Sequence, residues 1–303
     1  LQEGETASFA VDVANISDVH MDSLLVNYYI LDENQQIHPI NYPRADSLRI
    51  AQVLRDTISF DTRNLIGSNY FCMEVNPYTD LALGITDQPE QTHINNILQI
   101  PFFVSVENIN PILDVTFNGV HILNNDIVAP TSEILITLND ENPYLILDSD
   151  EDTSLFGIYL TDPDGIQTRV PFMDGAGNMV MQWIPGDVNQ NKFKIIYPAY
   201  FEKSGTYSIL IQGEDKSGNL SGDFDYHIDF EVIHESMISK LMNYPNPFST
   251  STRFVFTLTG DRIPDDILIQ IMTISGRVVR EISESELGPI QIGRNISDYA
   301  WDG

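Results

Sequence analysis

The chain has 303 residues, a formal net charge of −29 and a single cysteine, Cys72. This charge disfavours nucleic-acid binding, which needs a basic surface, and one cysteine excludes a disulfide within the chain. Hydrophobic residues make up 42% of the sequence, enough for folded cores, and no apolar run reaches the length of a membrane-spanning helix. The length predicts two or three domains.

Residues 1–107 carry a net charge of −11 and predict a first β-sandwich. Phe9, Val11 and Val13 alternate with small or polar residues, which is typical of a half-buried strand over residues 6–14. Further strands are predicted over residues 24–31, 50–60, 69–75 and 95–104, and residues 46–55 are the best candidate for a short helix. The strand order and the Asn-containing turns resemble the adhesion-type Ig-like domains of bacterial surface proteins.

Residues 108–236 carry a net charge of −16 and predict a second, acidic Ig-like β-sandwich. Strands are expected over residues 113–117, 134–138, 156–160, 192–197, 207–212 and 226–232. Strands about ten residues apart, separated by Gly, Pro, Asn and Asp, are typical of an all-β sandwich.

Acidic residues alternate in two loops of this second segment. Asp148, Asp150 and Asp152 form the first cluster, and Asp162 and Asp164 form the second. Ca²⁺ binds clustered carboxylate oxygens of this kind and could rigidify a junction between modules. The EF-hand pattern is not met, and a solvated acidic loop is the other interpretation of the same spacing.

Residues 237–303 have a net charge of only −2 and predict a third module with strands over residues 253–258, 267–274 and 277–282. Ser275 and Gly276 predict a tight hairpin. The module begins with a Pro-rich turn, defined here as Tyr244, Pro245, Asn246, Pro247 and Phe248. Two prolines fix φ and remove backbone donors, so this segment cannot lie inside a helix or a central strand. An ordinary interdomain turn is one interpretation.

Three motifs follow one another in this module: the Pro-rich turn, the Ile-Ser-Gly-Arg-Val stretch around Gly276, and the closing Trp301, Asp302 and Gly303. Their order resembles that in the C-terminal sorting domain of proteins exported by the type IX secretion system. The resemblance implies recognition by outer-membrane components of that machinery and a cell-surface or secreted location. The family's domain continues beyond Trp-Asp-Gly with further strands. We therefore expect three Ig-like β-sandwiches in series, with the last one incomplete and its sheet edge open.

Residues 110–303 also resemble the tail that follows the catalytic domain in gingipain-type cysteine peptidases, through residues 110–115, 162–165 and 213–219 and the Pro-rich turn. The resemblance implies an enzyme active site upstream of this chain. Within the chain, Cys72 lies in mid-strand and is expected to be a packing residue, and no Gly-x-Ser-x-Gly motif or close His pair is present. We expect no catalysis in the chain itself.

Two other functions remain open. One is a surface adhesin or carbohydrate-binding stalk with no enzyme attached, and the other is a structural component of the secretion machinery. Carbohydrate binding would need exposed aromatic residues, for which Trp183, Tyr197 and Tyr200 are the candidates, although Trp183 lies in an apolar context typical of core. The glycan or protein ligand of the modules is not specified by the sequence.

Short Asp-Ser/Thr-apolar stretches place Ser23, Ser47 and Thr57 in a pattern that resembles the O-glycosylation pattern of Bacteroidota surface proteins. A pattern of three residues also arises by chance.

Overall fold

The computed structural model describes residues 1–90 and 93–303, and the chain divides into two compact units, residues 1–108 and 109–303. The expected all-β fold class is confirmed. Over the described ranges, the helical segments are the 3₁₀ segments Ile94–Asn96 and Glu151–Leu155 and one short helix, α1 (Glu284–Leu287). Residues 46–55, the best candidate in a sequence with no convincing amphipathic helix, form no helix, and β4 begins at Val53. The three-module division of the sequence stays a prediction.

The first unit has two sheets that enclose one apolar core, and a separate sheet formed by two short strands. Its strands are β1 (Thr6–Ala14), β2 (Val26–Leu31), β3 (Ile37–Ile40), β4 (Val53–Asp61), β5 (Gly67–Val75), β6 (Tyr78–Asp80), β7 (Ile85–Thr86) and β8 (Ile97–Val104). β1 pairs with β4, the larger sheet has the order β3-β2-β5-β8, and β6 and β7 form the separate sheet. Alternation along β1 buries Val11 and Val13 against Ile58 and Phe71 of the same core cluster.

The second unit begins with a two-sheet sandwich over residues 112–232. Its strands are β9 (Ile112–Phe117), β10 (Asp126–Val128), β11 (Thr131–Asn139), β12 (Phe156–Thr161), β13 (Gln167–Arg169), β14 (Gln182–Ile184), β15 (Lys192–Tyr200), β16 (Gly205–Gly213) and β17 (Tyr226–Val232). The sheets have the orders β14-β15-β11-β9 and β10-β17-β16-β12-β13. Ile134 and Ile136 of one sheet and Ile209 and Ile211 of the other are fully buried in the core between them.

The rest of the second unit has a core of its own. Its strands are β18 (Ile238–Tyr244), β19 (Thr252–Leu258), β20 (Leu268–Met272), β21 (Val278–Ser283) and β22 (Gly293–Trp301). β19 lies between β18 and β22, while β20 and β21 form the hairpin predicted at Ser275 and Gly276. Phe254 and Phe256 of β19 pack with Ile282 and Leu287 in a cluster separate from that of the sandwich.

Candidate functional site: the Pro-rich turn and the closing strand

The Pro-rich turn connects two antiparallel strands. β18 ends at Tyr244, which pairs with Arg253 of β19, so the turn closes a loop between neighbouring strands. The peptide bonds before Pro245 and Pro247 are both cis. The hydroxyl of Thr252 donates a hydrogen bond to the carbonyl of Pro245 at 2.8 Å, which ties the turn to the start of β19.

The closing strand β22 brings the end of the chain back to this turn. Trp301 lies opposite Thr252 in the β19–β22 ladder. The rings of Phe248 and Trp301 contact each other, with centroids 5.7 Å apart at an angle of 52°. Two of the three sequence motifs, which lie about 50 residues apart in the chain, therefore meet in one place. Gly276 lies in the turn of the β20–β21 hairpin with φ of +83°, and Asp302 and Gly303 follow β22.

The side chains of this site divide into half-buried anchors and an exposed face. Phe248 and Trp301 are half-buried, whereas Tyr244 is 67% exposed and both prolines are exposed. A cation–π contact adds to the packing beside them, since the guanidinium of Arg280 lies 5.1 Å from the ring centroid of Tyr299 on β22. The turn thus offers a rigid, exposed and mostly uncharged surface.

The first acidic cluster binds a lysine of the same unit. Lys216 Nζ lies 2.9 Å from Asp148 Oδ1 and 3.2 Å from Asp152 Oδ2. Asp152 is buried, and its Oδ2 also accepts the backbone N–H groups of Asp148 and Ser149 at 2.7 and 2.8 Å. Asp150 is exposed and precedes the 3₁₀ turn. A cation bound between Asp148 and Asp152 would have to displace the ammonium group.

The second acidic cluster has the same arrangement. Lys203 binds Asp162, with Nζ 3.3 Å from Oδ2, and also binds Asp164. Asp162 accepts backbone N–H groups within its own turn, and these hydrogen bonds together with Lys203 lower the pKa of its carboxyl group. Calcium at either cluster stays a prediction, and the lysines are its competitors.

A pair of buried carboxylates outside the two predicted acidic clusters lies elsewhere in the second unit. Asp140 and Asp215 are 5% and 1% exposed, and the oxygens they can offer lie within 4.8 Å of each other. Asn191 donates to Asp140 Oδ2 at 3.1 Å, and Asn219 donates to Asp215 Oδ2 at 2.9 Å. The pair could offer two oxygen ligands to a hard cation. The sequence signal that could have indicated this pair is that each aspartate begins an Asp-x-Asn or Asp-x-x-x-Asn turn.

The residues considered for chemistry or modification lie apart from the turn. Cys72 is fully buried in mid-strand, and burial raises the pKa of its thiol, which favours the unreactive neutral form. Ser23, Ser47 and Thr57 are all exposed, as an acceptor for a glycan must be. O-glycosylation at these residues stays a prediction, as does the absence of catalysis in the chain.

The aromatic candidates for carbohydrate binding differ in how far they are buried. Trp183 is half-buried and stacks on Phe193, with ring centroids 5.5 Å apart. It borders a groove of about 650 Å³ that is also lined by Arg169, Met173 and Met179. Tyr200 is 63% exposed, whereas burial raises the pKa of Tyr197. Trp183 and Tyr197 are half-buried and only Tyr200 is exposed, so the three residues do not form one exposed aromatic face.

The part of the chain that the structure describes contains no helix long and apolar enough to cross a membrane. No family model and no curated protein matches the chain. Among solved structures, the chain is similar to the crystal structure of dimeric latent PorU from Porphyromonas gingivalis, with 13% sequence identity and a TM-score of 0.29. The alignment covers 100% of this chain and 28% of that chain, so this chain spans less than a third of its length. A TM-score this low carries no argument about function.

Proposed function

We propose that this chain is the non-catalytic C-terminal region of a large exported surface protein, and that residues 237–303 are the signal recognised by outer-membrane components of the type IX secretion system. The observation that carries the proposal is the contact between Phe248 and Trp301. It joins the Pro-rich turn to the closing Trp-Asp-Gly stretch, so two of the three motifs that carry the resemblance form one surface.

A folded sorting signal has to present a recognisable surface while its own core stays packed. Phe248 packs against Trp301, and the hydroxyl of Thr252 binds the carbonyl of Pro245, so both contacts hold the turn against the module. Most of the surface of Tyr244 is exposed to solvent. The module is close to neutral, with a net charge of −2 in a chain of −29. Its recognition would therefore rest on shape and apolar contact rather than on electrostatic steering.

The acidic modules would serve as spacers or binding modules between this signal and an upstream domain. The sequence resemblance makes a gingipain-type cysteine peptidase the parent that we favour. The burial of Cys72 is compatible with an active site in the upstream domain, because a buried neutral thiol does not serve as a peptidase nucleophile.

The test is an export assay of the full-length protein in a bacterium that uses type IX secretion. We expect Tyr244→Ala and Phe248→Ala to leave the protein in the periplasm and to deplete it from the cell surface. Leu268→Ala, an exposed residue on β20, is the matched control and should be exported normally. Circular dichroism of each purified variant verifies folding. Normal export of both turn variants would overturn the proposal.

A further inference from the structure

The larger sheet of the first unit has one face packed on the core and one face turned away from it, called here the outer face. Tyr28, Ile30 and Phe71 are buried in the core cluster. Because side chains alternate along a strand, the residues next to them in sequence lie on the outer face. This face carries an apolar patch, defined here as Tyr29 and Leu31 of β2, Ile37 and Pro39 of β3, Tyr70 of β5, and Pro101 and Phe103 of β8.

The register of the four strands makes the apolar patch continuous. Ile37 lies opposite Leu31, and Leu31 lies opposite Tyr70. Tyr70 in turn lies opposite Pro101, so one apolar row crosses the whole sheet. Phe103 lies two residues further along β8, diagonal to Tyr70 and within reach of its ring. Ile37, Tyr70 and Phe103 are 64%, 41% and 60% exposed, so the row and its neighbour face solvent.

The smaller sheet of the same unit has the polar outer face that an antiparallel sheet in contact with water normally has. The hydroxyl oxygens of Ser8 and Ser59 lie 2.8 Å apart across its two strands. Arg55 Nε lies 3.4 Å from Asp12 Oδ2 on the same side. All four residues are exposed. The apolar patch is therefore particular to the larger sheet.

The size of the apolar patch suits a weak but specific protein interface. From the exposure of its residues, the patch presents roughly 500–600 Å² of accessible surface. This area is at the upper end of the largest apolar patch on a typical monomer. If two copies of the patch face each other, they bury roughly 1,000–1,200 Å² in total, and specific interfaces start at about 1,000 Å².

Charge favours contact between copies at this face over contact elsewhere. The chain has a net charge of −29, so its copies repel each other on average. Within β2, β3, β5 and β8, which the structure describes in full, Glu74 is the one charged residue on the outer face, and it lies at the far end of β5 from Phe103. Two copies can therefore meet at the apolar patch without opposing like charges.

We infer that the outer face of the larger sheet is a self-association surface, on which the same face of a second copy of this chain packs about a two-fold axis. Such an interface needs a surface that is complementary to itself, which a flat and uncharged patch is. The two sheets would stack about 10 Å apart, as the sheets of a sandwich do. A glycan would need many hydrogen-bonding groups, whereas the side chains of the patch offer only the hydroxyls of Tyr29 and Tyr70. The inference is independent of the sorting function proposed above.

The test is analytical ultracentrifugation of the whole chain over a hundredfold range of concentration. We expect the mass to rise reversibly from that of one chain to that of two. The association should become stronger when sodium chloride is raised from about 0.1 to 0.5 M, because salt screens the repulsion between the acidic chains and leaves apolar contacts in place. A mass of one chain at every concentration and both salt levels would overturn the inference.

Single substitutions locate the surface. Ile37→Lys and Phe103→Lys each place a charge on the patch, from its two edge strands, and should weaken the association at least tenfold although each makes the chain less acidic. Val53→Lys is the matched control, because Val53 is 44% exposed at the start of β4 in the smaller sheet, and it should associate as the parent chain does. Circular dichroism verifies that the variants are folded. Equal weakening by the control and the patch variants would place the contact elsewhere and contradict the inference.

Discussion

Single side chains decide what the acidic loops of this protein can bind. Asp148 and Asp152 have the spacing of a calcium loop in the sequence, yet Lys216 binds both of them in the structure. The sequence could not indicate this contact, because Lys216 lies 68 residues beyond Asp148 and no local pattern links them. Local spacing predicts which carboxylates come together, whereas the counterion depends on the packing of distant loops.

The first prediction concerns Lys216→Met. The substitution leaves the buried carboxylate of Asp152 without its ammonium partner, so we expect the free energy of unfolding to fall by about 1–3 kcal/mol. Urea unfolding measures the loss. Lys203→Met is the matched control and should cost less, because the Lys203 pairs lie at the surface. If the vacated carboxylates bind calcium, calcium should stabilise the Lys216 variant more than the parent chain. Equal losses of unfolding free energy in the two lysine variants would contradict the prediction.

The second prediction concerns pH and Tyr28. Burial, with Asp56 nearby, raises the pKa of Tyr28 to about 12. The unfolded chain releases this proton near the ordinary value of about 10, so stability is fully present below pH 10 and is lost as the pH rises towards 12. Urea unfolding of the parent chain and of Tyr28→Phe between pH 9 and 12 measures the difference. A loss of the same size in both proteins would exclude Tyr28 as its cause.

At the scale of elements, the sequence predicted strands where apolar residues alternate and missed strands where they do not. β19 was predicted from Phe254, Phe256 and Leu258. β18 was missed because its side chains are mostly exposed, and β3 because it is four residues long and contains Pro39. β22 was missed because Asn295 and Ser297 occupy buried positions where a strand pattern requires apolar residues. The Pro-rich turn was recognised from its residues, but its contact with Trp301 depends on β22.

The third prediction follows from the buried hydroxyl of β22. Ser297 Oγ accepts the N–H of Phe254 at 2.9 Å and donates to the carbonyl of Tyr299 at 2.7 Å. This N–H meets a side chain because the β19–β22 register shifts between Arg253 and Val255. Ser297→Ala should therefore lower the free energy of unfolding by about 1–3 kcal/mol, measured by urea unfolding. The exposed Ser249→Ala is the control and should be neutral, and neutrality of both would contradict this account of β22.

At the scale of the whole molecule, each compact unit has its own apolar core. The two compact units meet between Asn108 and Ile109, and the division of the sequence into three modules stays a prediction. Composition alone could not indicate that the near-neutral last segment belongs to the same compact unit as the acidic sandwich, because that depends on contacts between elements distant in the chain.

The fourth prediction is that fragments 1–108 and 109–303 fold separately. Each fragment keeps its sheets and its hydrophobic clusters intact, so its circular dichroism and cooperative unfolding should persist after separation. The sum of the two fragment spectra should match that of the whole chain. Fragment 121–303 is the control, because it lacks β9, the partner of β11 in the sandwich, and should unfold less cooperatively than fragment 109–303. Loss of structure in fragment 1–108 would show that its core depends on the rest of the chain.

The single cysteine of the chain can report on transient opening of the first unit. Cys72 is fully buried between Tyr29 and Gln99 of the neighbouring strands, and the chain contains no other thiol. An aromatic disulfide reagent can reach it only when β5 is exposed by a transient opening. The rate of the colour change in native buffer therefore measures how often the first unit opens, with no label introduced and no signal from residues 109–303.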